Sequence, residues 1–147
     1  MRGIVQLVAL ILLVSPTGLP AQPRSILGQW QDPSGSVVRI DRCANLLCIW
    51  IVAVNKKAPA TTDVHNPDSR LRSRSLCGLM IGEGFHPSGK EVAEDGTLYD
   101  PKSGRTYHGE MKLVGDELHL RGYVGFSIFG RTEIWQRPSG TYPACAS

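Results

Sequence analysis

From Arg105 to Val114 the side chains alternate, with Tyr107, Met111 and Leu113 on one side and Thr106, His108, Glu110 and Lys112 on the other. A period of two belongs to an extended strand with one face against a core. Gly115-Asp116 then turns the chain, and Leu118 and Leu120 alternate with Glu117, His119 and Arg121. The same pattern recurs upstream. Residues 36–41 place Val38 and Ile40 on alternate sites opposite Val37, Arg39 and Asp41, and residues 48–54 are apolar on both faces, as in a fully buried strand. Turn clusters separate these runs, among them Asp32-Pro33-Ser34-Gly35 and Asp100-Pro101-Lys102-Ser103-Gly104, where proline presets φ and glycine takes the position that tolerates a positive one. Beyond the N-terminus no stretch carries a helical period. About eight short strands joined neighbour to neighbour form a meander, which can close on itself and so remove its edges.

Residues 121–137 are the densest apolar and aromatic run, with Gly122, Gly125 and Gly130 inside it and Arg121, Arg131 and Arg137 at its ends and beside the last glycine. They read as two core strands folded against each other through a tight apolar bend. Residues 76–82 read as a short buried strand and residues 84–95 as loop. Residues 55–75 lack periodicity, which is long for a connection in a small domain and marks a functional or mobile loop. Its end, Arg70-Leu71-Arg72-Ser73-Arg74, would set three guanidinium groups on one side if extended.

The chain of 147 residues begins with Met1-Arg2-Gly3, an almost unbroken aliphatic run over residues 4–14, and breakers and small residues to Ala21. That is the pattern of a secretory signal peptide over residues 1–21, and the apolar run is shorter than the roughly 18 residues a membrane-spanning helix needs. The expected location is periplasmic or secreted. Residues 22–138 form one β domain and residues 139–147 a short tail. Removing the leader lowers the formal charge from +3 to +2, since it holds Arg2 and no acid. So mild a balance lacks the broad basic surface that nucleic-acid binding requires.

Four cysteines suit an oxidising compartment and can pair in three ways. Cys43 and Cys48 flank a short turn between two strand-like runs, so a hairpin would face them across it. Cys77 with Cys145 is then the residual pair. A zinc site is a poor match, because Cys-x4-Cys with distant partners lacks ligand spacing. No metal and no cofactor is expected.

Gly28-x-Trp30, Val37-Val38-Arg39-Ile40, Cys43 with Leu47-Cys48, Asn66-Pro67-Asp68, Arg72-Ser73-Arg74-x-Leu76-Cys77-Gly78, Tyr99-Asp100-Pro101-x-Ser103-Gly104-x-Thr106-Tyr107, Leu120-Arg121-Gly122-Tyr123-x-Gly125 and Gly130-Arg131-Thr132-x-x-Trp135 together span most of the chain. In combination they resemble the bacterial exported-protein family filed as domain of unknown function 2147 (DUF2147). One departure is Ile49, where many members of that family have glycine. The resemblance implies export and a small β domain, without a reaction. Gly28-x-Trp30 also resembles the first-strand signature of lipocalin-type barrels, in which a late arginine packs across the tryptophan, and Arg131 or Arg137 would fill that role. The expected fold is all-β, a small antiparallel up-and-down barrel of calycin or lipocalin type, with a β-sandwich or open antiparallel sheet as the alternative.

The inward set for an apolar or amphipathic ligand is Trp30, Trp50, Tyr107, Met111, Tyr123, Phe126 and Trp135, since a barrel of this size either fills with side chains or holds one small molecule. Arg70, Arg72 and Arg74 are the anion-binding candidates, because guanidinium forks match carboxylate and phosphate. Their competing role is a solvated edge with structural salt bridges to Asp63 or Asp68. Asp63, His65 and Asp68 bear ligand-type atoms in one loop, yet Asn-Pro-Asp is an ordinary turn. His108, Glu110 and His119 make a conceivable acid–base grouping, and no nucleophile motif accompanies them. The sequence therefore points to a non-enzymatic exported protein that binds a small apolar or anionic molecule inside a barrel. A structural protein that contacts the envelope or membrane surface through residues 55–75 is the second reading, and a hydrolase-like enzyme the third.

Overall fold

In the computed structural model, which describes residues 24–143 and Cys145, eight strands form one sheet in chain order. They are β1 (Gly28–Gln31), β2 (Val37–Cys43), β3 (Leu46–Ala53), β4 (Met80–Ser88), β5 (Val92–Asp100), β6 (Arg105–Val114), β7 (Glu117–Tyr123) and β8 (Arg131–Trp135). Each pairs antiparallel with the next. Gln31 and Gln136 exchange backbone hydrogen bonds of 2.7 and 3.1 Å, which draws the edge of β1 to the end of β8 and nearly closes the barrel. The up-and-down barrel expected from the alternation is the fold observed. The leader, residues 1–21, lies outside the described residues.

The strand pair read most clearly from sequence is β6–β7, where Met111 pairs with Leu120 and Leu113 with Leu118 around a Gly115 turn of φ +61°. Residues 84–95, read as loop, are instead mostly strand, the end of β4 and the start of β5. The period of two fails there for a local reason. The buried sites Gly82 and Phe85 are three apart, with Gly84 at φ +75° between them, and the inward sites Ala93 and Gly96 are three apart across a bulge at Asp95, φ +58°. An extra residue in a strand shifts the phase of every side chain after it. Conversely, residues 76–79 are not strand; β4 starts at Met80.

The interior is divided. Around the turns β2–β3, β4–β5 and β6–β7 the barrel is packed solid by Trp30, Ile40, Leu47, Ile49, Phe85, Met111 and Leu118, each under 2% exposed. Glycines on neighbouring strands make room for Phe85: a Cβ on Gly96 would strike its ring, and one on Gly109 would come within 2.9 Å of it and 2.7 Å of Leu98. The lead into β1 stoppers this end. Ile26 donates to the Lys90 carbonyl, Trp30 Nε1 donates to the Ile26 carbonyl at 2.8 Å, and the Arg137 guanidinium lies 3.7 Å from the Trp30 ring centre. Arg137 also donates to the carbonyls of Ser25, Leu27 and Gln29. Of the two arginines considered for this role, Arg137 fills it.

Two disulfides are present, Cys43–Cys48 and Cys77–Cys145. The first is diagonal rather than face to face, since Cys43 pairs with Leu46 and Asp41 with Cys48. The second ties the end of the β3–β4 connection to the C-terminal tail, which Gln29 holds further back through two hydrogen bonds to the Tyr142 backbone.

Candidate ligand-binding cavity

The other end of the barrel is open. Strands β1, β3, β5 and β7 finish there and β2, β4, β6 and β8 begin there, so the turn at residues 32–36, the long β3–β4 connection, the turn at 101–104 and the β7–β8 loop surround one mouth. A cavity of about 880 Å3 descends from it to the packed half. That lies within the range of small-molecule sites, roughly 300–1,000 Å3. Its apolar wall is made by Val38, Ile51, Leu98, Tyr107, Leu120 and Trp135, the inward residues of six different strands. Gly122 keeps the middle of the wall clear, because its Cβ position meets nothing nearer than Tyr107 at 3.6 Å.

Of the seven ligand candidates, Tyr107, Tyr123 and Trp135 reach the cavity. Tyr123 does so at the rim; its ring lies 5.6 Å from that of His108, its register partner across β6. Trp30 and Met111 are inward but belong to the packed half and take no part in the lining. Trp50 is not inward: the inward sites of β3 are Leu47, Ile49 and Ile51, and the Trp50 ring lies on the outer face 5.8 Å from the Arg39 guanidinium. Phe126 is not inward either. It lies in the bend between β7 and β8, 75% exposed. A reading weighted towards aromatic residues passes over Leu98 and Leu120, which strand alternation places on the same face as Tyr107 and Trp135.

The charges at the mouth were legible by the same alternation. Arg131 and Glu133 share the phase of Trp135 on β8, and Arg105 shares that of Tyr107 on β6; all three line the cavity. Glu133 accepts a hydrogen bond from Trp135 Nε1 at 2.9 Å, and Lys102 stands 3.5 Å from Asp32. Lys57, Arg105 and Arg131 form no ion pair with a described residue. Three cations thus face the mouth without carboxylate partners among the described residues.

The β3–β4 connection forms one wall of the mouth, and a buried polar cluster holds it. Asp63, fully buried, accepts from Tyr99 Oη at 2.6 Å, Asn66 Nδ2 at 2.7 Å and Arg74 Nε at 2.9 Å, with the second Arg74 nitrogen at 2.8 Å. Burial pushes the Asp63 carboxyl up, but these donors outweigh it and hold the group below its ordinary value. Burial and the Asp63 charge together raise the Tyr99 phenol. At Gly104, φ +70°, the 101–104 turn packs on the His65 carbonyl so closely that a Cβ would collide with it.

Residues 70–74 are not extended, so the three arginines do not share a side. Asp68 caps a short turn of 3-10 helix (Ser69–Leu71) and takes the Arg70 side chain; Arg72 Nε donates to the Asn66 carbonyl; Arg74 is bound to Asp63. The salt bridges to Asp63 and Asp68 are both formed. Asp63, His65 and Asp68 do not converge, and no group of three metal-ligating side chains occurs among the described residues. His108, Glu110 and His119 are dispersed on the outer wall. Glu110 accepts from Ser127 Oγ at 2.9 Å and faces Arg121 at 3.8 Å, whereas His119 lies opposite Lys112, four residues along β6 from His108.

Fold and cavity together define a lipocalin-like barrel, packed at one end and open at the other. The chain belongs to the family described as "Uncharacterized protein conserved in bacteria (DUF2147)", whose model matches residues 28–137. Among solved structures it is similar to protein HP1028 from Helicobacter pylori, described as belonging to the lipocalin family. The TM-score is 0.70 and the identity 22%, over 78% of this chain and 84% of that one. Comparison with curated protein sequences finds no match.

Proposed function

We propose that this is an exported, non-enzymatic binding protein that takes a small amphipathic molecule, apolar body first, into the open half of the barrel. The observation that carries the reading is the cavity of about 880 Å3 whose depth is apolar and whose mouth presents Lys57, Arg105 and Arg131 without carboxylate partners among the described residues. A hydrocarbon body gains by leaving water for Val38, Ile51, Leu98 and Leu120. An anionic head group then meets the two guanidinium groups, which bind carboxylate or phosphate through paired hydrogen bonds. The signal-like N-terminus, the bacterial family and the two disulfides support export to the periplasm or beyond.

The test is a fluorescence titration of the mature chain with a dansyl-labelled undecanoic acid and with its methyl ester. The acid is expected to bind with energy transfer from Trp135, and the ester more weakly. Replacing Arg105 and Arg131 together by glutamine should cost the acid about tenfold in affinity, roughly 1.4 kcal/mol, and leave the ester unchanged. No saturable binding of either probe would end the proposal.

A further inference from the structure

The bend between β7 and β8 was expected to be core and is the reverse. Val124 is 72% exposed, Phe126 75%, Ile128 79% and Phe129 76%. Scattered exposed apolar residues are ordinary, but four large ones in six consecutive positions form a patch of the kind that marks an interaction surface. The loop is also held in shape. Ser127 Oγ donates to Glu110, the Ser127 carbonyl accepts from Arg121 Nε at 2.8 Å, and a 3-10 turn (Ser127–Phe129) is closed by Phe129 N donating to the Phe126 carbonyl and Gly130 N to the Ser127 carbonyl. These bonds fix the turn against the barrel wall, while the apolar side chains are presented to solvent. No charged residue lies between Arg121 and Arg131.

Position supplies the second argument. Val124 and Phe129 belong to the cavity rim, together with Lys57, Lys102, Arg105 and Arg131 set against Asp32, Asp100 and Glu133. The patch and a rim with one net positive charge thus occupy one end of the barrel, and Lys102 is the cation there that is paired, with Asp32. Exposed apolar side chains beside Lys57, Arg105 and Arg131, cations unpaired among the described residues, match a layered partner, anionic at its surface and hydrocarbon beneath. We infer that the protein docks mouth-first on an anionic phospholipid bilayer, with the β7–β8 loop in the acyl boundary and the rim cations at the head groups. The inference stands apart from occupancy of the cavity, since Phe126 and Ile128 lie outside its lining.

Vesicle sedimentation of the mature chain tests it. Vesicles of phosphatidylethanolamine with phosphatidylglycerol should carry the protein down, phosphatidylcholine vesicles much less, and added salt should weaken the difference. The double substitution Phe126→Ser, Ile128→Ser should lower partitioning roughly tenfold or more, because about half of the inserted apolar surface is lost. The same variant should keep wild-type binding of the dansyl acid in solution, which separates failure of docking from failure of the cavity. The single substitution Ile128→Trp provides a second readout, added emission that shifts to shorter wavelength on docking and is quenched by brominated acyl chains. Docking is overturned if the wild type stays in the supernatant with anionic vesicles, if the double variant pellets like wild type, or if the emission added by Ile128→Trp escapes quenching. A wild-type dimer that the double substitution dissociates, without vesicle binding, assigns the patch to a second copy and overturns it equally.

Discussion

Asp63 is a carboxylate with no exposed surface, four contacts from three donors, and a position in the middle of the longest irregular segment. Its sequence context allows both roles: a loop acid beside His65 and Asp68 reads as a metal ligand or as a partner for a nearby arginine. What separates them is Tyr99, thirty-six positions away, whose hydroxyl no local pattern could place. Since the Asp63 carboxyl is held below its ordinary value of 3.8, the stability it contributes is fully present above that value and lost as pH falls below it, through the still lower value of the folded state. Tyr99 acts at the opposite extreme, its contribution present below 10.0 and lost as pH rises through its elevated value. Asp63→Asn leaves Arg74 without its counter-charge and should destabilise by about 2–3 kcal/mol at neutral pH, less than a fully buried pair because Arg74 is partly exposed. Urea unfolding followed from pH 7 to pH 3 should show the wild type losing this difference below about pH 4 while the variant stays flatter.

Elements were legible where one period ran unbroken. β6 and β7 alternate without a bulge over their whole length, and their turn is marked by glycine; the end of β4 and the start of β5 read as loop because Gly84 and Asp95 each insert a change of phase. The 121–137 run misled in another way, since composition reports apolar content and not the side on which it lies. Cysteine spacing was more informative, and the two bridges differ in what they constrain. Cys43–Cys48 spans 5 positions and Cys77–Cys145 spans 68. In the chain-entropy account these loops correspond to about 2 and about 4 kcal/mol of destabilisation of the unfolded chain. Replacing both cysteines of a pair by serine should therefore cost more for 77/145 than for 43/48. Chemical denaturation of the two double variants measures the order, and equal losses would overturn the loop-length account of the 77/145 bridge.

The molecule as a whole is a barrel whose two ends solve different problems, and neighbouring glycines on β6 and β7 expose the difference. Gly109 and Gly122 are register partners, both inward. At Gly109 an added Cβ would stand 2.9 Å from Phe85, locked in the filled core, and 2.7 Å from Leu98, which also lines the cavity. At Gly122 the nearest atom is 3.6 Å away and the space beyond it is the cavity. Gly109→Ala should therefore lower stability by about 1–3 kcal/mol through overpacking, with probe affinity retained in the folded fraction. Gly122→Leu should do the opposite: its side chain enters empty volume beside Tyr107 and Leu98, so the melting temperature holds or rises while the dansyl acid loses its site. Paired thermal melts and titrations of the two variants distinguish this arrangement from a uniformly packed barrel, in which both substitutions would destabilise and neither would act selectively on binding.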